Sequence, residues 1–270
     1  MHIIIYTTTE EKMSPFNVNR KLLPPRIILY GIQGAGKTTL ASKTPSPVFI
    51  QLEDGLVDVS VPATDLISRY NDFIGVLDFL LNNEHNHGTV VIDSLDWLER
   101  LIHRHVAEQL NVSDISAVPY GRGYDAAAVE WEKIVFKLDS LRRAKNMVVF
   151  LLAHSQVRKV ELPGQDSYER FQLDLNKRAS AILSEWCDCL FFLTYDVSVM
   201  RTEGSFGTIK TKAFGDGQRI IYTGERPAYA AKNRYRLPHE LKIAEGEPNK
   251  FWGELVTLIK ANSVNQKVEN

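Results

Sequence analysis

A glycine-rich segment near the start of the chain carries residue types that could bind a row of phosphates. It reads GIQGAGKTT over residues 31–39 and fits the pattern G-x-x-x-x-G-K-[ST]. Backbone N–H groups of such a loop point at phosphate oxygens, while the lysine and the threonine supply a cation and a magnesium ligand. The predicted nucleotide-binding residues are Gly31, Gln33, Gly34, Ala35, Gly36, Lys37, Thr38 and Thr39. The segment therefore predicts a site for a nucleoside triphosphate and Mg²⁺.

Polar side chains follow three apolar runs further along the chain. Asp93 ends the run TVVID, and we predict that it holds the magnesium ion together with Thr38. Glu53 and Asp54 follow SPVFIQL, either to orient the attacking water or as a solvated acidic turn. His154 ends NMVVFLLAH and either faces the terminal phosphate or has a structural role only.

The runs that lead to these residues are typical of buried parallel strands, which are apolar throughout. The predicted strands are 26–31, 46–52, 89–93, 146–154 and 187–195, with helices at 94–110 and 126–145 and a helix that begins near residue 37. In open sheets of this kind, ligands bind at the carboxyl ends of the strands. The polar residues stand at those ends, so we expect them to lie together.

The part of the chain after residue 195 has shorter strands with glycine-containing turns, followed by an amphipathic helix at about 250–260. The sequence therefore predicts an α/β fold, with a mostly parallel central sheet flanked by helices and a C-terminal β-hairpin extension. We predict one ATPase domain over residues 15–262, with tails at 1–14 and 263–270.

Composition excludes some classes of protein. Of the 270 residues 44% are hydrophobic and 24% charged, and the net charge of −1 gives no overall attraction to nucleic acid or membranes. Any site for a polyanion must therefore be local. No run approaches the ~20 apolar residues of a membrane-spanning helix, so we expect a cytoplasmic protein without a membrane partner. Cys187 and Cys189 are expected to be buried and reduced.

The order of these parts resembles the RecA-type branch of the P-loop NTPases. The segment FIQLEDGL (49–56) is similar to the RecA strand FIDAEHAL, in which the glutamate is catalytic, and VVIDS (90–94) is similar to RecA's VVDS. The resemblance implies that Glu53 activates water. It also implies a γ-phosphate sensor after the next strand, where His154 stands as histidine does in RadA. Gln156 is a competing candidate.

The segment AAKNRYRLP (230–238) resembles the KNRFG segment of RadA and the K-x-R hairpin of DnaB-type helicases. In those families the basic pair reaches the γ-phosphate of a neighbouring subunit. The resemblance implies that Lys232 and Arg234 are catalytic fingers acting in trans, and hence that the protein forms a ring or filament of identical subunits. Arg236 departs from RadA's glycine, and surface basic residues on a hairpin are the alternative.

The motifs YGRGY, LLAH, LSEWCD and AKNR together look like the phage-encoded ATP-binding proteins of the Sak group. That resemblance spans about residues 15–260. It implies a role in phage DNA recombination and single-strand annealing in the host cytoplasm, with single-stranded DNA and a single-strand-binding protein as partners.

Two long segments, 111–128 and 155–172, correspond to the loops by which RecA-type cores bind DNA. Their aromatic and basic side chains suit base stacking and phosphate contacts. The predicted DNA-binding residues are Tyr120, Arg122, Tyr124, Arg158 and Lys159. Alternatively the tyrosines pack the first loop onto the core. The leading hypothesis is a DNA-stimulated ATPase, and the alternatives are a nucleotide-gated DNA-binding protein with little turnover and a helicase-like motor.

Overall fold

One large sheet organises the fold. The structure is a computed structural model that describes residues 22–56, 59–164, 166–196, 198–203, 209–214, 217–243 and 246–268. In chain order the strands are β1 (Arg26–Gly31), β2 (Pro47–Gln51), β3 (Thr89–Asp93), β4 (Val148–Val160), β5 (Tyr168–Leu173), β6 (Cys189–Tyr195), β7 (Ser198–Glu203), β8 (Ile209–Phe214), β9 (Arg219–Tyr222), β10 (Lys232–Asn233) and β11 (Glu240–Ile243). The helices are α1 (Lys37–Ala41), α2 (Tyr70–Asn82), α3 (Leu95–Gln109), α4 (Arg122–Ala144), α5 (Lys177–Trp186) and α6 (Pro248–Val268).

The sheet has the order β11-β9-β6-β1-β4-β3-β2, with β5 paired to β4 and β10 paired to β6. From β6 to β2 its strands are parallel, and β9, β10 and β11 are antiparallel additions. β7 and β8 form a separate hairpin. This is the α/β architecture of a P-loop NTPase domain, and it confirms the predicted sheet with its β-rich C-terminal extension.

The central strands are apolar on both sides because helices cover both faces of the sheet. In β1, Ile28 and Tyr30 enter one core, while Ile27 and Leu29 enter the other, as alternation along a strand requires. All four are fully buried, and each large apolar side chain buried in this way stabilises the fold by about 1.5–3 kcal/mol. α2, α3, α4 and α5 cover the first face, and α1 and α6 cover the second.

The segment 155–172 is not the loop that we predicted. β4 continues past His154 to Val160 and pairs antiparallel with β5 to form a β-hairpin. The second half of β4 was not predicted because its residues are mostly polar or charged, although their side chains alternate in exposure. The segment 111–128 is a loop only in part, because it contains two short 3₁₀ turns, Ile115–Ala117 and Pro119–Gly121, and α4 begins at Arg122.

Other elements also differ from the prediction. α2, α5 and β11 were not predicted. α6 runs to Val268 and so includes residues that we assigned to a C-terminal tail. The predicted N-terminal tail lies outside the described residues. None of the helices in the described part of the chain is both long enough and apolar enough to cross a lipid bilayer.

Candidate active site

The glycine-rich segment forms a loop between β1 and α1. Gly34 and Gly36 have φ angles of 75° and 89°, in the left-handed region that glycine adopts most easily. Gln33 is exposed, whereas Ala35 is buried in the core beneath α1. α1 has five residues and begins at Lys37, directly after the loop. Thr39 lies in the first turn of α1.

The first glycine of the motif has a packing role. Gly31 is paired with Leu193 of β6. A Cβ at Gly31 would stand 3.1 Å from the carbonyl carbon of Leu193 and closer still to its oxygen, under the 3.0 Å that real Cβ atoms respect. The absence of a side chain therefore lets β6 approach the start of the loop.

Lys37 is buried beneath the loop. Its Nζ donates hydrogen bonds to the carbonyl oxygens of Gly31 at 3.2 Å and Ile32 at 3.0 Å. Burial lowers the pKa of Lys37, and the carboxylates of Asp93 and Glu53 act against that shift. Phosphate oxygens bound by the loop could therefore replace these two carbonyl oxygens as hydrogen-bond acceptors of Lys37.

Thr38 and Asp93 come together at the carboxyl end of β3. The Thr38 hydroxyl donates a hydrogen bond to Oδ2 of Asp93 at 2.8 Å. Asp93 is 3% exposed, and burial raises its pKa to about 6, against the hydrogen bond from Thr38. Two adjacent oxygen donors, one of them a carboxylate, fit a hard cation such as Mg²⁺.

Glu53 is held beside the same strand end. The backbone N–H groups of Leu52 and Glu53 donate to the carbonyl oxygen of Asp93 at 2.8 and 3.3 Å. The Ser94 hydroxyl donates to Oε2 of Glu53 at 3.3 Å. Asp54, the neighbouring acid, is exposed. The turn after β2 therefore directs one of its two acidic residues toward β3.

A third acid completes the cluster. Ligand atoms of Glu53, Asp96 and His154 all lie within 4.8 Å of one another. Asp96, in the first turn of α3, was not predicted. Its carboxylate lies 3.0 Å from Nδ1 of His154 and accepts the backbone N–H of His154 at 3.2 Å. Gln156 instead donates its side-chain amide to the carbonyl oxygen of Leu173 in the β4–β5 hairpin.

The contact with Asp96 favours the protonated form of His154. The hydrogen bond that His154 donates to the Asp96 carboxylate raises the pKa of His154, and burial opposes the shift. Burial alone would raise the pKa of Asp96, but its hydrogen bonds with His154 lower it. Because Nδ1 faces Asp96, Nε2 is the imidazole nitrogen left to meet another group.

The predicted fingers lie at the other end of the sheet. β10 pairs with the start of β6, and Nζ of Lys232 donates to the carbonyl oxygens of Ser184 at 2.7 Å and Glu185 at 2.6 Å. Arg234 contacts Asp188 at 3.5 Å. The structure therefore does not bring either residue to the loop of its own chain.

The predicted DNA-binding residues are dispersed. Tyr120 is 94% exposed, Arg122 begins α4, and Tyr124 is half-buried against the ring of His103. Arg158 donates a hydrogen bond to the carbonyl oxygen of Leu175. Lys159, at the end of the hairpin strand, pairs with Glu161 at 3.1 Å.

Two residues that the sequence analysis missed also reach the loop. Tyr195, at the end of β6, donates its hydroxyl to the carbonyl oxygen of Gly34 at 3.1 Å. The guanidinium of Arg219, at the start of β9, lies against Gly36. No local sequence motif predicts their position, because the antiparallel pairing of β6 with β9 brings them to the loop.

The fold, the loop and the Thr38–Asp93 pair define a P-loop NTPase domain. The family model of an AAA domain matches residues 23–235, which is most of the chain, and the protein belongs to this family of ATPase domains. No curated protein sequence matches the chain.

Proposed function

We propose that the protein hydrolyses ATP with Glu53 as the residue that orients and deprotonates the attacking water. The observation that supports this role is the cluster of Glu53, Asp96 and His154 within 4.8 Å, next to the Thr38–Asp93 pair. A carboxylate at that position is a suitable general base. Bound Mg²⁺ would neutralise phosphate charge during the reaction.

The surrounding residues have complementary roles in this proposal. Lys37 balances charge on the β- and γ-phosphates, as positively charged groups do in phosphoryl transfer. His154, oriented by Asp96 through Nδ1, donates a hydrogen bond from Nε2 to the terminal phosphate. The cluster thus contains a base for water, which follows β2, and a donor for phosphate in β4, on the two sides of β3.

We further propose single-stranded DNA as the partner, in phage recombination or single-strand annealing, as the RecA-type and Sak-group resemblance implies. A cavity of about 440 Å³ between the β4–β5 hairpin and α5 supports this proposal. Its charged lining residues are Arg158, Arg170, Lys177, Lys232 and a single acid, Glu225. An excess of cations in a groove suits a phosphate backbone.

The exposed Tyr120 lies near the same helix. Arg178, beside the cavity residue Lys177, lies 3.7 Å from where a Cβ of Gly121 would stand and pairs with Asp125 at 2.9 Å. An aromatic face for bases is thus close to cations for phosphates, which is the combination that single-strand binders use.

Assembly into a ring or filament is the third part of the proposal. Lys232 and Arg234 lie at the amino end of β6, whereas the loop lies at the carboxyl end of β1, which is parallel to β6. Fingers in this position would act on the nucleotide of a neighbouring copy. A single-strand-binding protein is a proposed further partner.

A second candidate is a nucleotide-gated DNA-binding protein with little turnover. The observation that favours it is the engagement of both fingers within their own chain, with Lys232 on two carbonyl oxygens and Arg234 on Asp188. In this candidate, ATP binding alone would switch DNA affinity.

The test is ATP hydrolysis with and without oligo-dT for wild type, Glu53→Gln, Asp54→Asn and Arg234→Ala. We expect Glu53→Gln to lose roughly a hundredfold or more in rate while it keeps ATP affinity, because a general base is removed. Asp54→Asn, a matched change at the adjacent exposed acid, should retain wild-type turnover. Arg234→Ala should abolish the stimulation by oligo-dT.

Equal rates for Glu53→Gln and Asp54→Asn would refute the role of Glu53. Low wild-type turnover, with oligo-dT binding that depends on ATP and survives Glu53→Gln, would favour the nucleotide-gated candidate. No binding of oligo-dT under any condition would refute the DNA partner.

A further inference from the structure

A cation outside the glycine-rich motif lies against the phosphate-binding loop. It is Arg219, the first residue of β9. A Cβ added to Gly36 would stand 3.6 Å from Cζ of Arg219 and closer still to Nη1. The guanidinium is therefore in contact with the backbone of the residue that precedes Lys37.

The register of the sheet explains this position. β6 passes Leu193, the partner of Gly31, and continues to Tyr195, which is paired with Arg219. Residues that are directly opposite in antiparallel strands share a face. Tyr195 and Arg219 share the face of Leu193 and Ile221, which is the face that α1 covers. Both side chains thus stand at the level of the loop and on its side of the sheet.

The two members of this pair differ in what they offer the loop. The Tyr195 hydroxyl is bound to the carbonyl oxygen of Gly34 at 3.1 Å. Among the described residues, no carboxylate forms an ion pair with Arg219, whereas Lys242 of β11, which is paired with Ile220, forms one with Asp196. A guanidinium has five N–H donors in a planar arrangement that matches phosphate oxygens.

The two flanks of β1 bring different side chains to the loop. β4, β3 and β2, on one side, direct His154, Asp93 and Glu53 toward the loop. β6 and β9, on the other side, bring Tyr195 and Arg219. If the terminal phosphate of a bound triphosphate lies beside Lys37 and the Thr38–Asp93 pair, the part of the loop at Gly34 and Gly36, next to Tyr195 and Arg219, is left for its inner phosphates.

We propose that Arg219 binds the inner phosphates of the nucleotide held by its own chain. This inference rests on the nucleotide site of the proposed function and adds a cation that the loop motif does not contain. ADP and ATP share their inner phosphates, so the contact strengthens the binding of both. An interaction made equally before and during the reaction changes affinity and leaves the chemical step almost unaltered.

The experiment measures the dissociation constants of ADP and ATP, with Mg²⁺, for the full chain and four variants. We expect Arg219→Gln to weaken both nucleotides by roughly ten- to hundredfold, as the loss of a charged hydrogen-bonding partner does. Arg219→Lys should recover part of the affinity. Lys242→Gln, the matched control on the adjacent strand, should bind as wild type does.

Tyr195→Phe separates phosphate binding from support of the loop. It removes a hydrogen bond to the loop without changing charge, so we expect only a small loss of affinity. If Tyr195→Phe and Arg219→Gln weaken binding equally and Arg219→Lys rescues nothing, Arg219 only supports the loop and the inference is wrong. Nucleotide affinity unchanged in a folded Arg219→Gln protein would also overturn it, while the proposed function would survive. A wild-type protein that binds neither nucleotide would overturn both.

Discussion

Each end of the central sheet contains a buried aspartate, and the two aspartates have different hydrogen-bond partners. At the amino ends, Asp188 is 5% exposed and accepts hydrogen bonds from Arg26 at 2.8 Å and Arg142 at 3.3 Å. At the carboxyl ends, Asp93 is 3% exposed and accepts one from the Thr38 hydroxyl. Within the described part of the chain, no lysine or arginine forms an ion pair with Asp93.

The pKa values follow this difference. Burial favours the neutral acid at both positions, but the hydrogen bonds and charge of Arg26 lower the pKa of Asp188. Burial dominates at Asp93 and raises its pKa to about 6. Two carboxylates that are both almost fully buried therefore have different roles. Asp188 forms ion pairs with arginines of its own chain and stabilises the fold. Asp93 has no such partner among the described residues, and its carboxylate is suited to bind a cation from solution.

The largest expected effect is at the amino ends. Asp188→Asn leaves the buried guanidinium of Arg142 without an anion and leaves Arg26 with only the more exposed Asp139, so we expect a loss of about 3–5 kcal/mol in the free energy of unfolding. Asp139→Asn, at the more exposed second partner of Arg26, should cost about 1 kcal/mol or less. Urea unfolding at neutral pH measures both, and equal losses would contradict the comparison.

Acid should remove the contribution of Asp188 as well. Because its folded-state pKa is lowered, this contribution is complete above the ordinary pKa of aspartate and is lost as the pH falls through the lower, folded-state value.

The next effect has the opposite sign. Asp93→Asn removes a carboxylate whose ionised form burial disfavours, so without nucleotide the variant should be more stable than wild type at neutral pH by roughly 1–3 kcal/mol. The rise in melting temperature on addition of Mg²⁺ and ATP should be lost. Thermal unfolding with and without ligand tests both points. A loss of stability comparable to that of Asp188→Asn would show that Asp93 is structural.

The smallest effect concerns the ion pair beside Asp93. Asp96→Asn replaces the carboxylate whose hydrogen bond and charge raise the pKa of His154 with a neutral amide, so that pKa should fall. An NMR titration of the imidazole measures it, and Glu99→Gln, on the same helix, is the matched control. In wild type the stabilisation of a charged His154 is present at low pH and lost as pH rises through its raised pKa. A His154 pKa unchanged by Asp96→Asn would contradict the assignment of the cause.

Local patterns predicted the parallel core and the loop, because buried strands and glycine-rich turns have characteristic sequences. The bounds of β1 and β3 match the prediction. Asp96 was missed because its place in the site depends on a contact with His154, 58 positions away in the sequence. Arg219 was missed because its position follows from the antiparallel register of β9 against β6, and short patterns do not specify which distant strands pair.

The hydrogen bonds of Lys232 have a consequence for assembly. Its ammonium caps the C-terminus of α5 through the carbonyl oxygens of Ser184 and Glu185. In the proposed ring or filament, an incoming phosphate must displace these two intramolecular acceptors. In an isolated copy, these two carbonyl oxygens thus occupy the donors of the lysine. Weak or transient contacts between copies would leave Lys232 bound to them, and only a contact strong enough to replace both acceptors would bring the lysine to the phosphate.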